Sequence, residues 1–215
     1  GLVGETGAGK TTTMNILTGY LSATGGSAKI AGIDILENPM EAKKHIGFLP
    51  EHPPLYPDMT VDEYLGFVYE IKRCRLNREK HLAEIRQVTK IDDVRHRLIK
   101  NLSKGYRQRV GIAQALVGNP PVIIFDEPTA VLAESEATVL ISALKTLSKQ
   151  GIAIIFISHR LQEIIDLCDK LIVLRDGRVI QEACTKETNV RQIAAWMVDR
   201  KGDKAGEEKA EKKEK

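Results

Sequence analysis

A glycine-rich loop near the start of the chain has the residue types that bind phosphate. Its sequence is Gly4-Glu5-Thr6-Gly7-Ala8-Gly9-Lys10-Thr11. This run fits the pattern G-x-x-x-x-G-K-[ST], in which glycines let backbone N–H groups face phosphate oxygens and the following helix adds its positive dipole end. Lys10 would reach the β- and γ-phosphates, Thr11 would bind Mg²⁺, and Thr12 would bond a phosphate oxygen. The loop therefore predicts a nucleotide site that uses Mg²⁺.

A second group of candidate catalytic residues follows the apolar run Val122–Phe125, which predicts a buried strand. Asp126 and Glu127 come directly after it, at the carboxyl end of the strand, where open parallel sheets bind their ligands. Asp126 would hold Mg²⁺, directly or through water, and Glu127 would orient or deprotonate an attacking water. A carboxylate pair alone is more often a solvated strand end, but the phosphate-binding loop upstream favours catalysis.

A capped helix between these two motifs indicates the class of nucleotide-binding protein. The sequence there is Leu102-Ser103-Lys104-Gly105-Tyr106-Arg107-Gln108-Arg109. Ser103 predicts a helix cap, and the unpaired N–H groups at a helix start form an anion site. In its residues and in its spacing from Lys10 and Asp126, the segment resembles the signature motif of the ABC ATPases. An ordinary helix cap is the alternative interpretation.

The resemblance to ABC ATPases covers residues 1 to about 198 and implies an ATP site shared between two subunits. Ser103, Lys104, Gly105 and Tyr106 would meet the γ-phosphate held by the opposite subunit. A head-to-tail dimer would then enclose two ATP molecules. His159 follows a predicted buried strand and matches the family's switch histidine, which contacts the γ-phosphate and senses hydrolysis.

Three departures from the family pattern limit what the resemblance implies. Glu51 stands where the family normally has glutamine; it can still bind Mg²⁺, but it adds negative charge near the phosphates. Ala133 stands where many members have aspartate, which predicts weaker communication between the two sites of a dimer. We also expect a truncated N-terminus without the aromatic residue that stacks on adenine, and hence weak nucleotide affinity and reduced stability.

Apolar strand patterns that alternate with helical patterns predict an α/β fold with a mainly parallel sheet flanked by helices. The resemblance to ABC ATPases implies that this fold is a RecA-like phosphate-loop NTPase. The expected strands are 1–4, 27–36, 46–49, 122–125, 153–157, 171–174 and 178–183. The expected helices run from the loop to about residue 20 and over 60–73, 77–90, 103–117, 134–149, 160–168 and 189–198. The helices within about 58–117 predict an inserted all-helical signature subdomain. We expect one nucleotide-binding domain over 1–200, with its N-terminal strands missing, and a charged, disordered tail over 201–215.

Composition limits the partners and the compartment. A net charge of +3 is too weak to argue for nucleic acid, and no apolar run approaches the ~18 residues that span a membrane. We therefore expect no direct membrane insertion, and as partners a transmembrane permease subunit and a second ATPase subunit. Three widely separated cysteines fit neither a zinc site nor a disulfide framework. We expect a cytoplasmic protein, peripheral on the inner face of the cell membrane.

The two halves of the chain resemble different transporters. Met14–Gly19 and Leu49–Tyr56 resemble ABC-2 and gliding-motility exporter ATPases, whereas Ile155–Leu161 and Val173–Arg178 resemble sugar or nucleoside importers. Because partner contacts are expected in the helical subdomain and around Glu51, we expect a transport ATPase coupled to export. The alternatives are an importer ATPase, a soluble ABC ATPase that acts on ribosomes or DNA, and a nucleotide sensor that barely hydrolyses.

Overall fold

Eight strands and eight α-helices form along residues 1–198, which are the residues that the computed structural model describes. The strands are β1 Leu2–Val3, β2 Lys29–Ile30, β3 Ile33–Asp34, β4 Ile46–Leu49, β5 Val122–Asp126, β6 Ala153–Ile157, β7 Lys170–Arg175 and β8 Arg178–Cys184. The helices are α1 Lys10–Leu17, α2 Pro39–Lys44, α3 Val61–Ile71, α4 Arg78–Thr89, α5 Lys104–Leu116, α6 Glu134–Lys149, α7 Leu161–Leu167 and α8 Val190–Val198. The tail predicted over 201–215 lies outside the described residues.

Six strands form the main sheet, in the order β4-β5-β6-β1-β7-β8. All neighbouring pairs in it are parallel except β7 with β8, which confirms the predicted, mainly parallel α/β fold. Parallel strands place their carboxyl ends at one edge of the sheet. The loops that follow β1, β4, β5 and β6 therefore meet at that edge, and these loops carry the predicted site residues.

Strand β5, which lies between β4 and β6, is buried on both faces because its run of apolar side chains alternates between two cores. Ile123 and Phe125 pack in the larger core, which also contains side chains of α3, α4 and α5. Ile124 packs on the other face with Met14 of α1. Burial of large apolar side chains on both faces fixes the register of β5. That register sets where the carboxylates at its end emerge.

Helices α3, α4 and α5 follow one another without an intervening strand of the sheet, as the sequence predicts. Thr60 begins α3 with a capping box: its Oγ1 accepts from Glu63 N at 3.2 Å, and the Glu63 carboxylate accepts from Thr60 N at 2.7 Å. Ser103 caps α5, and its Oγ accepts from Tyr106 N at 3.3 Å. The cap predicted at Ser103 is confirmed.

Three local features differ from the sequence prediction. Residues 27–36, expected as one strand, form the two short strands β2 and β3, which pair antiparallel in a separate two-stranded sheet. Helix α1 ends at Leu17 rather than near Tyr20, because Gly19 adopts a φ of 68° and Tyr20 N donates back to Asn15 O. Helix α2 is not predicted, since its six residues are too few to show a helical repeat. Proline at its start and lysines in its last turn are nevertheless the local signals of a helix.

A buried arginine joins α4 to the start of α3, and its removal is expected to destabilise the fold. Arg86 donates to Asp92 at 2.9 Å and to Asp62 at 2.9 Å, with its side chain only 10% exposed. Arg86→Ala should lower the free energy of unfolding by about 2 kcal/mol, because two charge-assisted hydrogen bonds are lost. Urea denaturation measures the change. Arg95→Ala is the control, because the Arg95 guanidinium contacts the same carboxylates at the surface. It should lower the free energy of unfolding by about 0.5 kcal/mol or less. Equal losses in the two variants would contradict the prediction.

Candidate active site

The loop between β1 and α1 has the backbone shape of a phosphate-binding loop. Gly9 precedes α1 with a φ of 98°, a conformation that favours glycine. The Lys10 ammonium crosses back over the loop and donates to Gly4 O at 2.7 Å and Glu5 O at 2.9 Å. An ammonium has three donors, so one remains for a phosphate oxygen. The loop thus places the Lys10 ammonium and the N-terminal end of α1 next to the carboxyl end of β1.

The end of β7 and the turn between β7 and β8 pack against this loop. A Cβ at Gly4 would lie 2.3 Å from Leu174 O, so only glycine allows the loop to pass this close to β7. At the hairpin turn, Gly177 N donates to Ala8 O at 3.1 Å. Ala8 is itself buried. These contacts fix the loop against the last residues of β7.

The carboxylates at the end of β5 lie on the same cleft as the loop, and one of them contacts the predicted switch histidine. The Glu127 carboxylate lies 2.7 Å from His159 Nδ1 and accepts from His159 N at 3.2 Å. Its side chain is only 14% exposed, whereas that of His159 is 66% exposed. Glu127 has a φ of 50°, an uncommon conformation for a residue with a side chain. A strained backbone that aims a carboxylate is a frequent feature of active sites.

Three carboxylates give this cleft a negative field that Lys10 only partly offsets. Burial raises the pKa of Asp126 above its usual range, and the negative charges of Glu127 and Glu51 raise it further, whereas Lys10 lowers it. A divalent cation would relieve this repulsion. Within residues 1–198, no cluster of three or more His, Cys, Asp or Glu side chains can hold a metal ion by itself. The donors fit Mg²⁺, which binds through one or two carboxylates together with phosphates.

The cleft has a volume of about 780 Å³, within the range of pockets that bind ligands of nucleotide size. The predicted site residues that line it are Gly4, Glu5, Thr6, Gly7, Gly9, Lys10, Thr11, Thr12, Glu51, Asp126, Glu127 and His159. Ala8 is the loop residue that does not line it. Ala130 and Met197 also line the cleft, and neither is among the predicted residues.

The signature residues lie apart from this cleft. None of Ser103, Lys104, Gly105 and Tyr106 lines it; Lys104 instead lines a second groove, which Glu51 also borders. The start of α5 instead contacts the segment between α4 and α5, where Tyr106 Oη donates to Asp93 at 2.7 Å. A single chain therefore brings together the phosphate loop, the carboxylates and the histidine, but not the signature helix.

Glu163 is a buried residue beside the site that the sequence analysis misses. Its carboxylate accepts from Thr129 Oγ1 at 2.6 Å and from Ser158 Oγ at 2.9 Å, and Arg160 lies 3.4 Å away. Thr129 follows Glu127 in the chain, and Ser158 precedes His159. Glu163 thus connects the loop that carries Glu127 to the loop that carries His159. Its sequence signal is a carboxylate four residues after the histidine on the buried face of α7, which is too common a pattern to stand out.

Among the helices of residues 1–198, none has the length and apolar character needed to cross a bilayer.

The fold and the cleft define a phosphate-loop nucleotide-binding domain of the RecA-like type. Residues 1–130 match the model of the family described as ABC transporter. The chain therefore belongs to the ABC transporter family and is an ABC ATPase domain.

Curated relatives and a solved structure agree with this assignment. The chain is 42% identical over 208 residues to the ribose import ATP-binding protein RbsA of Lactococcus lactis subsp. lactis strain IL1403, and 38% identical over 208 residues to RbsA of Bacillus subtilis strain 168. Each alignment covers 93% of this chain but 42% of the relative, so the chain spans less than half of their length. It is also similar to the dimeric, post-hydrolysis structure of the ATP-binding cassette MJ0796 bound to ADP and Pi, with a TM-score of 0.78, 26% identity and coverage of 86% of this chain and 84% of the other.

Proposed function

We propose that this domain binds ATP with Mg²⁺ and hydrolyses it in a head-to-tail dimer, and that the cycle drives transport by a membrane permease. One observation carries the proposal: Lys10, Asp126, Glu127 and His159 border one cleft, while the start of α5 lies outside it. The signature residues can act on this nucleotide only if a second copy supplies them. This proposal includes the partners predicted from the sequence, namely a permease and a second ATPase subunit, and a peripheral position on the inner membrane face.

The position of each of these residues in the cleft supports a particular role in ATP binding or hydrolysis. Lys10 and the N–H groups of the loop bind the β- and γ-phosphates of ATP, as the start of α1 also does. Thr11 and Asp126 would hold Mg²⁺, with Glu51 beside them, and the ion would neutralise charge on the phosphates. Glu127 accepts the proton of the attacking water. His159 forms a hydrogen bond with the Glu127 carboxylate and thereby orients this base. Because His159 also lines the cleft, it can contact the γ-phosphate.

Import is the direction that the relatives favour, and we propose a sugar such as ribose as the transported class. Both relatives are named for ribose import. The predicted exporter resemblance of the first half has no support among these relatives, whereas the importer alternative does. Co-purification with a polytopic membrane protein would separate this proposal from the soluble ABC ATPase alternative. Loss of ribose uptake, in a cell from which the gene is deleted, would support import.

A mixing experiment tests the shared site. Lys10→Ala disables the phosphate loop of the copy that carries it, and Ser103→Arg blocks the signature surface that a copy offers to its partner. Each variant alone should be inactive. A one-to-one mixture should recover about a quarter of the wild-type ATPase rate, because half of the random dimers are mixed and each mixed dimer keeps one intact site.

A matched mixture serves as the control for this experiment. Glu127 acts on the nucleotide of its own copy, so a mixture of Lys10→Ala with Glu127→Gln has no intact site and should stay inactive. Equal recovery in both mixtures, or none in either, would contradict the head-to-tail arrangement. Native mass spectrometry of the mixtures shows that mixed dimers form.

A further inference from the structure

Met197, near the end of α8, lies on the nucleotide cleft although no motif points to it. Among the described residues that line this cleft, Ala130 and Met197 are the two with wholly aliphatic or thioether side chains. Ala130 belongs to the loop after β5, close to the carboxylates. Met197 is half-buried, packs in part against the larger core and leaves the remainder of its surface to the cleft. A large apolar side chain in an otherwise polar cleft is suited to an apolar part of the ligand.

The last turn of α8 is anchored to the strand that also supports the phosphate loop. Arg175, the final residue of β7, donates to Trp196 O at 3.3 Å and is itself buried. Two residues later, Gly177 N donates to Ala8 O of the loop. The end of β7 thus fixes both the loop and the residue that precedes Met197. The position of Met197 beside the loop is therefore built into the fold.

The order of the strands assigns Met197 to one end of the nucleotide. Relative to β1, which leads into the phosphate loop, strands β6, β5 and β4 lie on one side and β7 lies on the other. The loops after β6, β5 and β4 carry His159, the carboxylates and Glu51, which act at the γ-phosphate. Because α8 is anchored to β7, Met197 approaches the loop from the opposite side. A nucleotide with its γ-phosphate toward the carboxylates extends its nucleoside toward β7.

We propose that Met197 forms an apolar wall for the nucleoside part of the bound nucleotide and contributes to the discrimination of nucleotides from bare polyphosphate. The proposal rests on the proposed function, since it assumes that the cleft binds ATP. The thioether is polarizable and adaptable, and it packs favourably against aromatic rings such as a purine.

Titration calorimetry with two probes tests the proposal on the full 215-residue chain. MgATP carries the nucleoside, and magnesium tripolyphosphate carries the phosphates alone. Met197→Ala should weaken MgATP binding about three- to tenfold, as expected for the loss of a partly buried apolar contact, and leave tripolyphosphate binding unchanged. Met197→Leu, which keeps the apolar volume, should stay within about twofold of wild type for both probes.

Controls separate this inference from its alternatives. Val198→Ala removes an exposed side chain on the same turn of α8 and should change neither affinity; thermal melting shows that the variants remain folded. Unchanged MgATP binding in Met197→Ala, or an equal loss for both probes, would overturn the inference while leaving the proposed function intact. A wild-type chain that binds neither probe would instead overturn the proposed function, and the inference with it.

Discussion

Replacing Glu127 with glutamine is expected to lower kcat for ATP hydrolysis by at least about 100-fold, while the Kd for ATP stays within about threefold of wild type. The amide keeps the shape of the side chain, and its oxygen can still accept from His159 N. It cannot take a proton from water at neutral pH. The loss should therefore fall on the chemical step, and single-turnover measurements with saturating ATP would show it there.

The control for this substitution is Glu182→Gln on β8, which removes the same charge from an exposed carboxylate and should leave kcat unchanged. Unchanged hydrolysis in Glu127→Gln would remove Glu127 from the catalytic role. A wild-type chain that binds ATP but hydrolyses it no faster than the variant would favour the nucleotide-sensor alternative. Binding and hydrolysis thus have to be measured on the same preparations.

The elements of the fold could be predicted from the sequence because their signals are local. Helix α6 and strand β6 have the predicted bounds, since α6 is long and has a helical apolar pattern, and β6 is an unbroken apolar run of five residues. The starts of α3 and α5 follow from single capping side chains, Thr60 and Ser103. Helix α2 escapes prediction because it is short and has one buried residue, so the periodic signal is absent.

The candidate site could be predicted only where its residues sit in motifs. The phosphate loop, Asp126 and Glu127 have such motifs, and the cleft brings them together. Met197 reaches the cleft through the packing of α8 on β7, which depends on contacts distant in sequence. Glu163 acts through hydrogen bonds to two other loops, and a sequence does not show which loops are neighbours. The predicted export direction rests on the resemblance of part of the chain, whereas the relatives that align over 93% of the chain are named for ribose import.

Substitution of Glu163, the buried carboxylate that joins the loops after β5 and β6, is expected to affect both stability and the rate of hydrolysis. Glu163→Ala is expected to lower the free energy of unfolding by about 2–4 kcal/mol, because the buried hydroxyls of Thr129 and Ser158 lose their acceptor. It should also reduce kcat about tenfold or more, since the loops that carry Glu127 and His159 are no longer tied together. The Kd for ATP should change less than kcat, because the phosphate loop has its own support on β7.

Conservative and neighbouring variants show whether Glu163 acts by positioning these loops. Glu163→Gln keeps one oxygen that can accept from a hydroxyl, so it should recover part of both the stability and kcat. Gln162→Ala, on the exposed face of the same helix, should change the free energy of unfolding by about 0.5 kcal/mol or less and leave kcat unaltered. Urea denaturation and steady-state ATPase assays at a temperature where every variant is folded measure both quantities. A loss of stability with kcat unchanged would limit Glu163 to the fold, and would mean that the contact between His159 and Glu127 holds without it.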